Sequence, residues 1–297
     1  MRRLLSKKRV VGILLMLALF GAGFFAASRL RTKAPEAPPV PLIEQPKGPV
    51  YKIIGTSVQG RSIEGYTYGN GATHLLFVGG MHGGYEWNSV LLAYQFMDYL
   101  SANPGVIPKS LSVSVIPSLN PDGVYAVTGK EGRFALRDVS TDKVVLARGR
   151  FNAHEVDLNR NFDCKWKPTS TWQTKTVSAG QAPFSEPETL ALRSFVSAYK
   201  PSGVVFWHSQ ANAVYASECE HGILGATLDI MNAYASASGY SAAPSFDAYA
   251  VTGDSEGWLA SIGIPSITVE LQTHETVELD RNLRGIKALF EYYRQHP

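Results

Sequence analysis

The chain has 297 residues, 45% of them hydrophobic and 18% charged, with 28 lysines and arginines against 25 aspartates and glutamates. That balance excludes a disordered or low-complexity chain and suits one large α/β domain. The net charge of +3 is no signature of nucleic acid binding: eight basic residues fall within positions 1–33, leaving 20 against 25 acidic ones, a net of −5.

The first feature in chain order is Val10–Ala27, 18 uncharged and mostly apolar positions behind Arg2, Arg3, Lys7, Lys8 and Arg9. Residues 1–33 are therefore expected to be a signal peptide or an N-terminal membrane anchor. A clean small-x-small cleavage site is lacking because Phe25 spoils cleavage after Ala27, although Gly21-Ala22-Gly23 offers an alternative, and the stretch is just long enough to span, which slightly favours an uncleaved anchor. No cysteine follows it, so a lipoprotein is not expected. Residues 34–49, with prolines at 35, 38, 39, 41, 46 and 49, read as a stiff extended linker, too short for a folded inhibitory prodomain.

From about Val50 to Pro297, strand-like runs alternate with helical ones. HLLFVGG, LSVSVIPSLN, GVVFWHS and SITVEL alternate with NSVLLAYQFMDYL, EPETLALRSFVSAY, ILGATLDIMNAYASA and LDRNLRGIKALFEYY. The expectation is a single α/β domain: a mixed, mostly parallel twisted sheet with helices on both faces. Open sheets of this kind bind ligands at strand ends and in the loops that follow.

The chemistry-bearing residues fall in such places. GGMHGGYEWNS carries His82 and Glu86, VVFWHSQ carries His208, and ITVEL carries Glu270. Two imidazoles and one carboxylate would leave one of zinc's four tetrahedral positions open, the pattern of a catalytic site. His82 and Glu86, four apart, project from one face if the segment turns helical. Glu270 is then a carboxylate free to act as base. Two other motifs read as scaffold: Asn120-Pro121-Asp122-Gly123 as a turn, and Ser185-Glu186-Pro187-Glu188 as a capping box with Ser185 as N-cap and Glu188 reaching back. Cys164 and Cys219, the only two cysteines, form a candidate disulfide outside the cytoplasm.

Taken in order, GGMHGGYEW, IPSLNPDGVY, GRFNAHEVDLNRNF, PFSEPET, VVFWHSQ and AYAVTGDSEGWLASIGIPSITVEL resemble the zinc metallocarboxypeptidases, and the likeness runs from about Tyr51 to the C-terminus. The resemblance implies one Zn2+ held by His82, Glu86 and His208, with Glu270 as general base. It implies that Asn159 and Arg160 grip the substrate's terminal carboxylate, and that Arg150 polarises the scissile carbonyl, a donor role typically worth ~100- to 1000-fold in turnover. Tyr249 matches a mobile tyrosine that covers the bound C-terminal residue. Glu256, with Asp254 two residues before it, falls at the pocket floor, where it would favour a cationic side chain such as lysine, arginine or diaminopimelate; alternatively it caps a helix starting near Ser255. In one respect the chain departs from the family pattern, since Gly83, Gly84 and Tyr85 put three residues rather than two between His82 and Glu86. The implied function is removal of a C-terminal residue from peptides or peptidoglycan stem peptides, outside the cytoplasm. Its rivals are a zinc amidohydrolase or deacylase of small acylated amino acids, and a non-catalytic wall- or peptide-binding module.

Overall fold

The computed structural model describes residues 48–216 and 218–297. The expected N-terminal signal or anchor and nearly all of the Pro-rich linker lie outside them. Among the described residues, no helix is long and apolar enough to cross a membrane.

In chain order the strands are β1 (Val50–Thr56), β2 (Ser62–Gly69), β3 (Thr73–Val78), β4 (Leu111–Ile116), β5 (Thr169–Trp172), β6 (Lys175–Ser178), β7 (Gly203–Ser209), β8 (Ala213–Ala216), β9 (Glu218–Cys219), β10 (Gly222–Ile223), β11 (Ser241–Ala243) and β12 (Ser266–Leu271). The helices are α1 (Trp87–Ala102), α2 (Pro121–Thr128), α3 (Lys143–Arg148), α4 (Pro187–Tyr199), α5 (Gly225–Ser238), α6 (Ser255–Ser261) and α7 (Leu279–Gln295). Eight strands form one sheet in the order β1-β2-β4-β3-β7-β12-β8-β11. Its middle is parallel, β4 to β3 to β7 to β12, whereas β1, β2 and β8 join antiparallel.

The central strands read as unbroken apolar runs because both of their faces are covered. In β3, Leu75 and Phe77 point into one core and Leu76 and Val78 into the other; in β7, Val205 and Trp207 are separated from Val204 and Phe206 in the same way. The first core packs against α1, α5 and α7, where Leu283, Ile286, Phe290 and Tyr293 keep a helical three-four spacing. The second packs against α4 and α6 through Leu192, Phe195, Trp258 and Leu259. Trp207 stacks on Phe77 at 5.4 Å between ring centroids, and burying each such side chain contributes roughly 1.5–3 kcal/mol.

Two local expectations need correction. Asn120 is not simply the head of a turn: its side chain accepts from the Gly123 amide and caps α2, with Pro121 in the first helical position. The Ser185 capping box does not form. The N-cap of α4 is Glu186, because Pro187 with its preset φ begins the helix, and Ser185 Oγ is committed to Glu186 Oε1 at 2.9 Å. Glu188 does not reach back either; its oxygens accept from the Val58 amide and from Asn152 Nδ2.

Candidate active site

Register places the key side chains before any side-chain contact is considered. In the parallel ladder between β7 and β12, Glu270 pairs with His208. Side chains alternate along a strand, so His208 follows Val204 and Phe206 onto the second-core face, and Glu270 leaves Ile267, Val269 and Leu271 to the first. Both therefore project from the same side at the carboxyl end of neighbouring strands.

His82 and Glu86 arrive from the loop after β3. The three intervening residues are taken up by a single 3-10 turn, Gly83–Glu86, ending where α1 begins. Gly83 is needed at its start: its φ is +46°, and a Cβ there would lie 2.5 Å from the Gly149 carbonyl. Ser89 stitches the turn, donating to the Glu86 carbonyl at 2.7 Å and accepting from the Gly80 amide at 3.1 Å. The extra residue thus still delivers Glu86 to the site.

The resulting cluster is tight. Glu86 Oε1 lies 2.8 Å from His82 Nδ1, Glu86 Oε2 lies 3.0 Å from His208 Nδ1, and the two Nδ1 atoms are 3.1 Å apart. All three residues are buried, and they are the group among the described residues whose donor atoms converge as metal ligands would. Zinc bonds of 2.0–2.1 Å imply tetrahedral edges of about 3.3 Å, so the donor set fits zinc in both spacing and kind. Burial disfavours charge on His208, yet the Glu86 carboxylate overrides it and raises the imidazole pKa to about 9, while burial of Glu86 is outweighed by the two histidines, which hold it well below the carboxylate range. The cluster is built to hold positive charge.

Asp157, which the motif reading passed over although it opens DLNRNF, links the cluster to its surroundings. Its Oδ1 stands 3.4 Å from His82 Nε2, and its Oδ2 accepts from Arg150 Nε at 2.9 Å. Burial would raise this carboxyl, but Arg150, Arg160 and His82 hold it well below its ordinary range. Such a carboxylate behind a histidine fixes the ring's orientation. Arg150 is itself buried, lies 3.8 Å from Glu86 Oε1 through NH1, and has its guanidinium 4.6 Å from the centroid of Trp172, another residue the motifs did not signal.

These groups open into one cavity of about 620 Å3, and every sequence-predicted catalytic, substrate and metal residue lines it. Glu270 sits in its wall and accepts no hydrogen bond from a described residue. Burial, then the Glu86 charge, pushes its pKa up to about 8 against the pull of His208 and Arg150. Arg160 gives Nε and NH2 to the Thr171 carbonyl and NH1 to the Asn159 carbonyl, which leaves one N–H on each terminal nitrogen without a described partner. Asn159 Oδ1 accepts from the Ser255 amide at 2.9 Å, so its amide hydrogens remain available.

Glu256, which also lines the cavity, accepts from Thr268 Oγ1 and Ser255 Oγ and stands 3.7 Å from His208 Nε2. It is not the helix cap: Asp254 is, accepting from the Gly257 amide at 2.7 Å. Burial and the Glu256 charge raise Asp254 to about 6. Tyr249 lies in the wall segment with its ring edge-on to Phe246. Cys164 and Cys219 are joined by a disulfide, tying the segment after Arg160 to β9.

The family model described as zinc carboxypeptidase matches residues 44–284. The chain belongs to the zinc carboxypeptidase family. Among curated relatives it is 25% identical over 238 residues to gamma-D-glutamyl-L-diamino acid endopeptidase 1 of Lysinibacillus sphaericus, covering 73% of this chain and 59% of that protein. The chain spans about half to three fifths of the length of three of the curated relatives it matches, and less of others. Many solved structures share its fold, two of them as follows. Bovine thrombin-activatable fibrinolysis inhibitor superposes with a TM-score of 0.67 at 19% identity, covering 85% of this chain and 92% of that one. Murein-tripeptide amidase MpaA from Escherichia coli O157 gives 0.57 at 23% identity, covering 86% and 94%.

Proposed function

We propose that this member of the zinc carboxypeptidase family is a peptidase that removes the C-terminal residue of peptides whose last side chain is cationic, the diamino acid of a peptidoglycan stem peptide being the natural candidate. The observation that carries the reading is the meeting, in one cavity, of the His82–Glu86–His208 cluster, the unbonded carboxylate of Glu270, and an arginine with two free N–H groups.

In this reading His82, Glu86 and His208 hold one zinc ion. When bound, the ion acidifies water and polarises a carbonyl oxygen. Glu270 accepts the proton of the attacking water and delivers it to the departing amine, a role suited to a carboxyl whose surroundings raise its pKa toward neutrality. Arg150, oriented by Asp157, donates to the developing oxyanion. Arg160 and Asn159 fix the substrate's terminal carboxylate, the fork of two N–H groups matching two carboxylate oxygens. Tyr249 covers the bound residue.

The preference for a cation rests on Glu256, buried, and Asp254, half-buried, two carboxyls without a basic partner at hydrogen-bond distance among the described residues, whose mutual repulsion a positive side chain relieves. The similarity to a gamma-D-glutamyl-L-diamino acid endopeptidase and to a murein-tripeptide amidase lends support to a peptidoglycan substrate. We place the reaction outside the cytoplasm, with Val10–Ala27 as the export signal or tether; the Cys164–Cys219 disulfide supports that location.

Purified protein incubated with peptides ending in lysine, diaminopimelate, phenylalanine or glutamate, read by mass spectrometry, tests the proposal. Release of the cationic residues is expected, and amidation of the terminal carboxylate is expected to abolish it. Cleavage of amidated peptides at the same rate would reassign the protein to an amidohydrolase that does not read the chain end.

A further inference from the structure

The loop after β12 carries a histidine that the motif reading passed over. His274 lines the cavity, its ring centroid 4.7 Å from that of Tyr85. Its hydrogen positions are set by two residues behind it. Asn88, fully buried, gives its amide hydrogens to the carbonyls of Thr273 at 2.7 Å and Thr276 at 3.0 Å. Its Oδ1 is therefore the acceptor for Ser209 Oγ, at 3.0 Å. A hydroxyl that has given its one proton can only accept. The 2.7 Å bond between Ser209 Oγ and His274 Nδ1 thus requires the imidazole proton to sit on Nδ1. Burial favours the neutral ring against the opposing charge of Glu86. Nε2 is left as a bare acceptor with no described partner, and it is not among the atoms sealed inside the protein.

The position of this acceptor identifies what it meets. Tyr85 stands between His274 and Trp172, with ring centroids 4.7 Å and 5.2 Å away, and the Arg150 guanidinium lies 6.0 Å from the Tyr85 ring and 4.6 Å from that of Trp172. The Asp254 and Glu256 end adjoins the cluster through His208 and Glu256 instead. If the terminal residue lies at that end, His274 stands on the other side of the scissile bond.

Building on the carboxypeptidase reading, we propose that His274 Nε2 accepts a hydrogen bond from an N–H on the residue preceding the cleaved bond, so that the enzyme selects substrates with a donor there. The donor is either a backbone amide or a free amine, and three dipeptides ending in lysine separate them: one N-acetylated, one with a free amine, and one N-acetylated and N-methylated, which has no N–H.

Wild type is expected to cleave the N-methyl peptide with a kcat/KM about tenfold below that of its better donor-bearing counterpart, the worth of one neutral hydrogen bond. His274→Phe is expected to remove that preference, bringing kcat/KM on the three peptides together, and His274→Gln, which keeps an acceptor oxygen, to restore part of it. Equal losses on all three peptides in His274→Phe would overturn the proposal. Nitrogen NMR of the imidazole in the metal-free protein supplies an independent readout: a proton on Nδ1 is expected, and a neutral ring protonated on Nε2 refutes it. If wild type cleaves none of the peptides, the carboxypeptidase reading fails and takes this proposal with it. Cleavage without any preference for an N–H overturns this proposal alone.

Discussion

Two groups of largely water-shielded carboxylates differ in how completely their oxygens are used. In the first, Asp122 receives Ser57 Oγ, the Gln59 amide and Arg61 NH1; Glu186 receives Ser185 Oγ, Asn152 Nδ2 and His154 Nδ1; and Glu188 receives the Val58 amide and Asn152 Nδ2. Every oxygen has a donor. In the second, Glu270 has none, the Nε2 atoms of His82 and His208 are buried without a hydrogen bond, and two imidazole Nδ1 atoms face each other. Both groups are withdrawn from water, so burial of charge does not mark the site. What distinguishes the site is a carboxylate with no donor standing beside imidazoles whose nitrogens converge, an arrangement that costs free energy unless a further group meets it.

That contrast can be broken by experiment. The largest effect is expected from Glu270→Gln, which should lower kcat by ~100- to 10,000-fold while zinc content, measured by elemental analysis, stays at the wild-type level. Undiminished turnover would show that the unpaired carboxylate is idle. In the saturated group, Asp122→Ala leaves three donors without an acceptor and is expected to cost about 3 kcal/mol in urea unfolding, with kcat of the folded enzyme unchanged. A variant that keeps its stability but loses turnover would erase the distinction between the two groups.

The smallest effect concerns a scaffold histidine. His74, at the start of β3, bonds Ser114 Oγ through Nε2 at 2.8 Å, and burial lowers its pKa below 6.5 despite a bond with the Tyr199 backbone. The unfolded chain therefore takes up this proton first as pH falls. Its stabilising contribution is present above pH 6.5 and shrinks as pH drops from there toward the folded value. His74→Gln is expected to flatten the fall in melting temperature between neutral and mildly acidic pH, and an unchanged slope would assign that fall to other groups.

The central strands were legible because both faces are apolar, and their carboxyl ends carried His208 and Glu270. The edges were less so. β1 exposes Val50, Tyr51 and Ile53, and the β5–β6 hairpin holds only four residues a strand, so neither gives a long periodic signal. Asp157 was visible inside DLNRNF but looked like part of a motif rather than a partner for His82. His274 and Trp172 left no sequence mark, because their importance comes from what long-range folding sets beside them: Ser209 for one, Arg150 for the other. At α4, the Ser-x-x-Glu spacing suggested a capping box, yet the proline between them began the helix one residue later and turned both side chains to other partners.

The pairing of Glu270 with His208 across β12 and β7 means that backbone hydrogen bonds, not side-chain choice, set their separation. A slip of one residue in either strand would swing its side chain to the opposite face of the sheet. The loops around the cavity are under no such constraint. Segments such as Pro244–Val251 can lengthen, shorten or change character and so retune which molecules are admitted, while the spacing between these two side chains stays anchored in the sheet.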